Sequence, residues 1–318
     1  MNRVLIFSLL SICCISGYAQ KGKPYVVKDY THHRSQQMFI EVEGGKMAYL
    51  DVGEGIPILM VHGVPTSSWL FRHMIADLST RGFRVIAPDL LGFGSSDKPK
   101  DLNQYDFDKQ AQRILDLMQF LEIGSWSEVI HDVGGLWTWE LLKIAPNAID
   151  HLVILNTIID QEGFKPPIRF RRKGLIGRFF IRQYRSFLFG KMVMKRTLKY
   201  GMVDYRLSKS DEKGYWLPMK EGANKAVFHF FSSYEKTCSS LEAYQHELGK
   251  LKIRTMVFWG KEDDILKGKE QIALLKEKVI LTPEKVLLVG GIKHFIQEEQ
   301  PVEICDEIFS FIISKEGL

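Results

Sequence analysis

A short apolar segment that ends in an aspartate carries the first sign of chemistry in this sequence. Residues Val129–Gly135 read V-I-H-D-V-G-G, which predicts a strand that turns sharply into a helix. Such a turn pushes the side chain at its tip into an active site, and it requires small neighbours such as Gly134 and Gly135. The usual occupant of the tip is the serine of G-x-S-x-G, a pentapeptide that this sequence lacks. We therefore predict that Asp132 is a catalytic nucleophile.

Two further groups follow predicted strands and supply an acid and a histidine. The residues W-G-K-E-D-D at 259–264 come after one strand, and G-G-I-K-H-F at 290–295 places His294 just past another. A single histidine after a strand is more often structural than catalytic. Here the chain order is nucleophile, acid, histidine, with each at a strand end, and this order favours a catalytic relay.

The turn H-G-V-P at 62–65 is placed to stabilise a developing negative charge. It follows an apolar strand, and Gly63 lets a backbone N–H approach a bound group closely. We assign the N–H groups of Val64 and Val133 as an oxyanion hole. His62, which we place among the substrate-binding residues, is expected to hold this loop by hydrogen bonds rather than to transfer protons.

Alternating strands and helices must position these residues. A hairpin at 38–42 and 46–52 is followed by predicted strands at 56–61, 83–87, 128–132, 151–155, 255–259 and 285–289. The predicted helices between them lie at about 67–80, 107–121, 136–144, 269–278 and 298–313. This order predicts an α/β fold, a mostly parallel sheet with helices on both faces. Residues 20–156 and 251–318 form the two parts of its core.

Residues 157–250 interrupt the alternation. They are helix-like, rich in aromatic and basic residues, and without a clear buried strand, so we interpret them as a helical cap over the carboxyl ends of the strands. From Lys165 to Lys199 there are twelve Lys or Arg residues and no acid. We interpret this basic stretch as a solvated face of the cap, with an anionic substrate or contact to a membrane surface as the alternatives. Nucleic acid is not an expected partner, because no reading motif occurs.

The amino terminus differs from the rest of the 318 residues. Arg3 precedes the apolar run Val4–Ile15, and small residues follow at 16–19, a pattern typical of a secretory signal peptide. We predict a signal peptide at residues 1–19 and export to the periplasm or the medium, with an uncleaved membrane anchor as the alternative. The composition of the full sequence, 45% hydrophobic and 25% charged, is that of a globular protein.

No metal or other cofactor is expected. Neither Cys238 nor Cys305 lies in a C-x-x-C spacing, and the nine histidines form no H-E-x-x-H motif. Cys305 falls on the apolar face of the last predicted helix, which indicates a buried, inert thiol.

Four longer motifs join these residues to a known family. They are H-G-V-P-T-S-S-W at 62–69, P-D-L-L-G-F-G-S-S-D-K-P at 88–99, H-D-V-G-G at 131–135 and H-F-I-Q-E-E at 294–299. Together they resemble the haloalkane dehalogenase and epoxide hydrolase branch of the α/β-hydrolase superfamily, over residues 39–313. The resemblance implies that Asp132 attacks an electrophilic sp3 carbon and forms an ester, which water activated by His294 then hydrolyses.

The resemblance also selects the acid of the relay. In the family pattern the acid stands at a fixed offset from the glycine after the strand, which here indicates Asp263, with Asp264 as the fallback. Some dehalogenases carry the acid instead at the strand end before the cap. This chain has Asn156 there, so that variant is set aside.

The leaving group is the point at which the sequence departs from the family pattern. Dehalogenases of this family bind halide through a Trp after the nucleophile and an Asn in the oxyanion turn, or a second Trp from the cap. Here the first two positions are Val133 and Val64, and Trp216 is the only cap tryptophan. Epoxide hydrolases use a pair of cap tyrosines, for which Tyr184 and Tyr234 are our candidates. The competing donors in the cap are Tyr200, Tyr205, Tyr215, Tyr244 and His229.

We therefore expect a hydrolase that uses water and a small uncharged organic substrate. The motifs match dehalogenases best, whereas the missing halide donors favour an epoxide or another substrate with a leaving oxygen. A non-catalytic binding protein of the same fold is the alternative from another functional class. The complete set of Asp132, Asp263 and His294 argues against it.

Overall fold

The computed structural model describes residues 25–159, 187–233, 253–277 and 283–314, together with Phe164 and Phe179. Eight strands form one sheet in the order β1-β2-β4-β3-β5-β6-β7-β8. They are β1 Met38–Val42, β2 Gly45–Val52, β3 Ile56–Val61, β4 Phe83–Asp89, β5 Trp126–Asp132, β6 Ile149–Thr157, β7 Arg254–Gly260 and β8 Lys285–Val289. Strand β2 runs antiparallel to β1 and β4, and the remaining neighbours are parallel. The predicted α/β fold is confirmed.

Helices cover both faces of this sheet. They are α1 Tyr30–Ser35, α2 Arg72–Leu78, α3 Phe107–Phe120, α4 Gly134–Ile144, α5 Phe187–Tyr200, α6 Lys209–Pro218, α7 Gly268–Glu277, α8 Ile296–Glu299 and α9 Pro301–Ile313. Helix α3 packs on α4, and α2 packs on α9. Two separate hydrophobic clusters result, one including Leu117 and Trp139 and the other including Phe71 and Ile308. Each face of the sheet therefore has its own core.

Two predicted helices differ from those observed. The segment from Ser67 begins with a 3-10 turn at Ser68–Phe71, capped by the Ser67 side chain, and the α-helix covers only Arg72–Leu78. The last predicted helix is divided into α8 and α9. Pro301 occupies the first turn of α9, and because proline has no backbone N–H it cannot continue the ladder of α8.

The described part of the cap, between β6 and β7, is helical. Helices α5 and α6 are followed by a π-helical turn at Met219–Ala223 and by helical residues 224–233. Helix α6 contacts the core at Trp69, whose indole N–H donates to the carbonyl of Asp211 at 3.1 Å. Gly214 makes this approach possible, because a Cβ there would lie 2.3 Å from the Trp69 ring. Among the described residues, no helix is long and apolar enough to cross a membrane.

Helix α1, which the sequence pattern did not indicate, contacts both core and cap. Its buried His33 lies 2.5 Å from the Tyr25 hydroxyl through Nδ1 and 2.9 Å from the Ser68 hydroxyl through Nε2. On the outer side, Arg34 pairs with Glu221 of the cap at 2.8 Å. The amino-terminal segment from Tyr25 onward is therefore part of the packed structure.

A buried ion pair joins three parts of the chain. Arg72 of α2, which is 1% exposed, forms two hydrogen bonds with Glu298 of α8 and lies 3.4 Å from Asp211 of α6. The guanidinium also stacks over Trp69 at 4.4 Å, and the Tyr215 hydroxyl donates to Glu298. Removal of one partner from such a pair leaves a buried charge without compensation, which is strongly unfavourable.

We expect the substitution Arg72→Met to lower the free energy of unfolding by about 3 to 5 kcal/mol, because Glu298 would keep a buried charge without its partner. Chemical denaturation followed by circular dichroism measures this change. The matched control is Arg81→Met, since Arg81 pairs with Asp77 and Asp306 at the surface and should contribute less than about 1 kcal/mol. Equal losses in the two variants would contradict the prediction.

Candidate active site

Asp132 lies at the tip of a strained turn between β5 and α4. Its φ of 52° lies in the left-handed region, which non-glycine residues rarely adopt and which is unfavourable by about 1 to 3 kcal/mol. The neighbouring backbone is close on both sides. A Cβ on Gly63 would lie 2.4 Å from the Cβ of Asp132, and one on Gly134 would lie 2.6 Å from the carbonyl oxygen of Val61. The small residues noted in the sequence are thus required by the packing.

Two backbone N–H groups face the Asp132 carboxylate. The N–H of Val64 donates to Oδ2 at 2.8 Å, and the N–H of Val133 also stabilises the carboxylate. Burial raises the pKa of Asp132, because the charged form is poorly solvated, while His294 and these two N–H groups act in the opposite direction. Both predicted oxyanion-hole N–H groups therefore contact the carboxylate of the predicted nucleophile.

His294 lies between two carboxylates. Its Nδ1 is 2.9 Å from Oδ2 of Asp263, and its Nε2 is 3.7 Å from Oδ1 of Asp132. The first distance is that of a hydrogen bond, whereas the second is too long for one. Since a carboxylate only accepts, Nδ1 carries a proton and donates it to Asp263. Burial opposes a charge on the ring, but Asp263, and to a lesser extent Asp132, raise the pKa of His294 above its ordinary value.

Asp263 is held in place by hydrogen bonds on both of its oxygens. Oδ1 accepts from the N–H groups of Ile265 and Leu266 at 2.7 and 3.0 Å, and Oδ2 accepts from the side-chain amide of Asn156 at 2.6 Å. Asp264, the fallback acid, instead points outward and pairs with Lys293 at 3.2 Å. The geometry therefore brings Asp263, and not Asp264, against the histidine.

Asn156 is a supporting residue that the sequence reasoning did not identify. It stands at the end of β6 with a positive φ of 38°. Besides its bond to Asp263, its side-chain oxygen accepts from the N–H of Gly260 at 3.1 Å. Its position at a strand end next to β7 is the signal that the sequence offers for this role. The family pattern indicates that position only as an alternative site for the acid.

His62 contacts the H-G-V-P turn and the residue that follows β4. Its Nδ1 lies 2.8 Å from the carbonyl oxygen of Gly63, and its Nε2 accepts from the N–H of Leu90 at 3.1 Å. Burial lowers the pKa of this histidine, which keeps the ring neutral and suited to one donor and one acceptor bond. No contact in this arrangement links His62 directly to the Asp132 carboxylate.

The backbone of His294 is held from two sides by residues that the sequence did not reveal. Its N–H donates to the carbonyl of Gly201 at the end of α5, at 2.9 Å, and the N–H of Phe295 donates to the same oxygen at 3.0 Å. Its own carbonyl lies 3.0 Å from Nε2 of His131. One contact comes from the cap and the other from the strand of the predicted nucleophile.

The two preferred cap tyrosines, Tyr184 and Tyr234, lie outside the described residues, as does Tyr244. The hydroxyls of Tyr205 and Tyr215 donate to Glu212 and Glu298. Two other competitors also have contacts of their own, since His229 pairs with Asp106 at 2.7 Å and Tyr200, 47% exposed, lies beside Lys293.

The structure describes the surroundings of Trp137, Trp139, Trp216 and Cys305. Trp137 and Trp139 are buried in the core, and Lys191 stacks over Trp216 at 5.0 Å. Cys305 is buried in α9 and forms no disulfide, whereas Cys238 lies outside the described residues. Within the described ranges, no three side chains from His, Cys, Asp or Glu converge as a metal site would require.

Known proteins resemble this chain in sequence and in fold. Residues 56–301 match the family model of the alpha/beta hydrolase fold. A haloalkane dehalogenase from Mycolicibacterium paratuberculosis is 27% identical over 274 residues, which cover 84% of this chain and 87% of that protein. A cis-3-alkyl-4-alkyloxetan-2-one decarboxylase from Shewanella oneidensis is 27% identical over 296 residues, 88% of this chain and 89% of that protein.

A solved structure gives the same architecture. The epoxide hydrolase from Vigna radiata superposes with a TM-score of 0.71 at 23% identity, covering 87% of this chain and 97% of that structure. At this identity the match concerns the fold.

We expect the substitution Asp263→Asn to lower the pKa of His294 below its ordinary value of about 6.5, because burial would then act without its main opposing charge. NMR titration of the His294 ring measures the shift. The matched control is Asp264→Asn, which removes an exposed carboxylate and should leave the pKa of His294 nearly unchanged.

The raised pKa of His294 also determines how the stability of the fold changes with pH. Because the pKa of His294 is raised in the folded state, its protonation stabilises the fold fully below the unfolded pKa, and this contribution is lost as pH rises through the folded pKa. Asp263→Asn should reverse that dependence. An unchanged titration of His294 in the Asp263 variant would contradict both expectations.

Proposed function

The chain belongs to the α/β-hydrolase fold family, and from this premise we propose that it is a hydrolase that opens a carbon–oxygen bond at an sp3 carbon. Asp132 is the nucleophile, His294 the base and Asp263 its supporting acid. The reaction passes through an ester between Asp132 and the substrate.

In the first step, Oδ1 of Asp132 attacks the substrate carbon and the bond from that carbon to the leaving oxygen breaks. Oδ2 accepts the hydrogen bond from Val64, while Oδ1 faces His294 without a direct hydrogen bond. A carboxylate is a competent nucleophile at neutral pH without a base to deprotonate it. His294 is therefore available for the second step.

In the second step, water attacks the acyl carbon of the ester. Nε2 of His294 has its lone pair free to accept the water proton, because Nδ1 is engaged with Asp263. The tetrahedral intermediate places negative charge on the oxygen derived from Oδ2. The N–H groups of Val64 and Val133, which contact the Asp132 carboxylate, stabilise that charge. The intermediate then collapses: the bond from the acyl carbon to the oxygen attached to the substrate breaks, and that oxygen leaves as an alcohol with the proton held by His294. The restored carboxyl group of Asp132 loses its proton to water.

Our proposal for the leaving group rests on one observation, the valines at positions 64 and 133. A departing halide needs N–H donors from side chains, and neither valine has one. A leaving oxygen does not need such donors. A departing alkoxide is protonated by an acid, for which we propose Tyr184 and Tyr234. A departing carboxylate is stable without a proton. We therefore favour a strained ring, an epoxide or a related cyclic oxygen compound, over a haloalkane.

The similar proteins include enzymes of both kinds. The relative from Shewanella oneidensis is named for an oxetan-2-one, a four-membered ring with a leaving carboxylate, and the Vigna radiata structure is an epoxide hydrolase. The Mycolicibacterium relative, by contrast, is named a haloalkane dehalogenase. The names of the two sequence relatives support a substrate with an electrophilic carbon, and the two valines support the leaving oxygen.

We expect the variant His294→Gln to accumulate a covalent ester, because the nucleophile is intact and the base for hydrolysis is absent. Incubation with epoxyhexane, β-butyrolactone and bromohexane, followed by intact mass and peptide mapping, measures the adduct on Asp132. The epoxide and the lactone should add their whole mass, and bromohexane should give little adduct. Asp132→Asn should give none, and His73→Gln, which changes an exposed histidine outside the site, should turn over like the parent protein.

Two other results of this experiment would contradict the proposal. Faster adduct formation with bromohexane than with epoxyhexane would replace the leaving-oxygen proposal with a dehalogenase. Absence of an adduct with all three probes, in a folded variant, would reject the nucleophile chemistry for these substrates and favour the non-catalytic binding protein.

A further inference from the structure

We infer that His131 is a positioning residue that holds the base His294 at its working distance from Asp132 during hydrolysis of the ester. This inference rests on the proposed function, in which Asp132 carries the ester and His294 activates water. Its basis is a hydrogen bond between the residue before the nucleophile and the backbone of the base.

The contact defines the state of the His131 ring. Nε2 lies 3.0 Å from the carbonyl oxygen of His294, and a carbonyl oxygen only accepts, so Nε2 must carry the proton. The ring is fully buried, and its Nδ1 has no hydrogen-bond partner among the described residues. His131 is thus a neutral donor, with its second nitrogen unused.

Charge in the neighbourhood favours the same state. The His131 and His294 rings lie 4.7 Å apart between centroids, so two positive rings would repel each other. Burial and the neighbouring His294 both hold the pKa of His131 well below its ordinary value. The proton required for the second step is therefore taken up by His294, which faces Asp263, and not by His131.

The geometry couples the base to the nucleophile. Because His131 and Asp132 are consecutive, a bond from His131 to the His294 carbonyl fixes the loop of the base against the end of β5. The N–H of Phe295, which belongs to the same peptide unit as that carbonyl, donates to Gly201 of the cap at 3.0 Å, and the N–H of His294 in the preceding unit donates to the same oxygen at 2.9 Å. Loss of the His131 donor would leave the buried carbonyl of His294 without this hydrogen bond, which is unfavourable. The loop would then no longer hold Nε2 of His294 at 3.7 Å from Oδ1 of Asp132.

Ester formation and ester hydrolysis should respond differently. The first step does not use His294, whereas the second requires water to be aligned between His294 and the acyl carbon. A misplacement of about 1 Å in such an alignment reduces a rate by up to about a hundredfold. A defect in positioning therefore appears as accumulated ester rather than as slower ester formation.

The test compares His131→Leu, which has no donor, with His131→Gln, whose amide N–H can reach the same carbonyl. Rapid quench with the probe that labels His294→Gln, followed by intact mass, measures both steps. We expect His131→Leu to form the ester within about threefold of the parent rate and to hydrolyse it about ten- to a hundredfold more slowly. His131→Gln should restore most of the hydrolysis rate.

A second measurement needs no substrate. Nitrogen NMR of the parent protein should show His131 as the neutral tautomer with the proton on Nε2. The low-field proton of the His294 Nδ1–H group, which bonds to Asp263, should be retained in His131→Gln and shifted or lost in His131→Leu. This spectrum reports the position of the base even if a variant has reduced stability.

Several results would overturn the inference. They are a folded His131→Leu variant that hydrolyses the ester at the parent rate, equal defects in the Leu and Gln variants, or a His131 proton on Nδ1. Failure of the proposed function is a different result, namely no ester on Asp132 in His294→Gln with any probe. In that case the spectrum of His294 in the two His131 variants still decides whether His131 positions the ring.

Discussion

The active centre depends on a backbone conformation that an aspartate adopts only under constraint. Asp132 has a φ of 52° at the end of a buried strand, and the sheet on both sides prevents relaxation of the turn. Gly63 and Gly134 allow the neighbouring backbone to come close enough to point two N–H groups at one carboxylate. The unfavourable turn is maintained by the packing of the sheet, and it holds the carboxylate of the proposed nucleophile against the N–H groups of the proposed oxyanion hole.

Around this turn, the histidine is fixed by contacts with separate parts of the chain. Asp263 orients its ring, and Asp263 is in turn held by Asn156 and by two backbone N–H groups. The backbone of His294 is bound by the cap at Gly201 and by β5 at His131. The position of the proposed base therefore depends on contacts with both the core and the predicted cap, although Asp132, Asp263 and His294 themselves all belong to the core.

The features that could be predicted from the sequence are those encoded in local patterns. Apolar runs gave β3 and β8 with their observed limits, and the strand ends gave Asp132, His294 and a segment that contains the acid. The resemblance to the family then selected Asp263 within that segment, and the fold brings the three residues together. Helix α1 was missed because its six residues are too few to show a helical period. Asn156 and Gly201 were missed for a different reason. Their importance arises from contacts between segments distant in sequence, which no local pattern reports.

The contacts of helix α1 also constrain how the chain can be processed. Tyr25 closes a buried chain of hydrogen bonds through His33 to Ser68, which adjoins the oxyanion turn, and Arg34 extends the attachment to the cap. Residues 25–55 precede the part of the chain that matches the family model, yet they are integral to the packed structure. Proteolytic processing that preserves this structure must cut before Tyr25. A fragment that begins at residue 56, where the family match begins, would lack the His33 side chain that contacts the Ser68 hydroxyl.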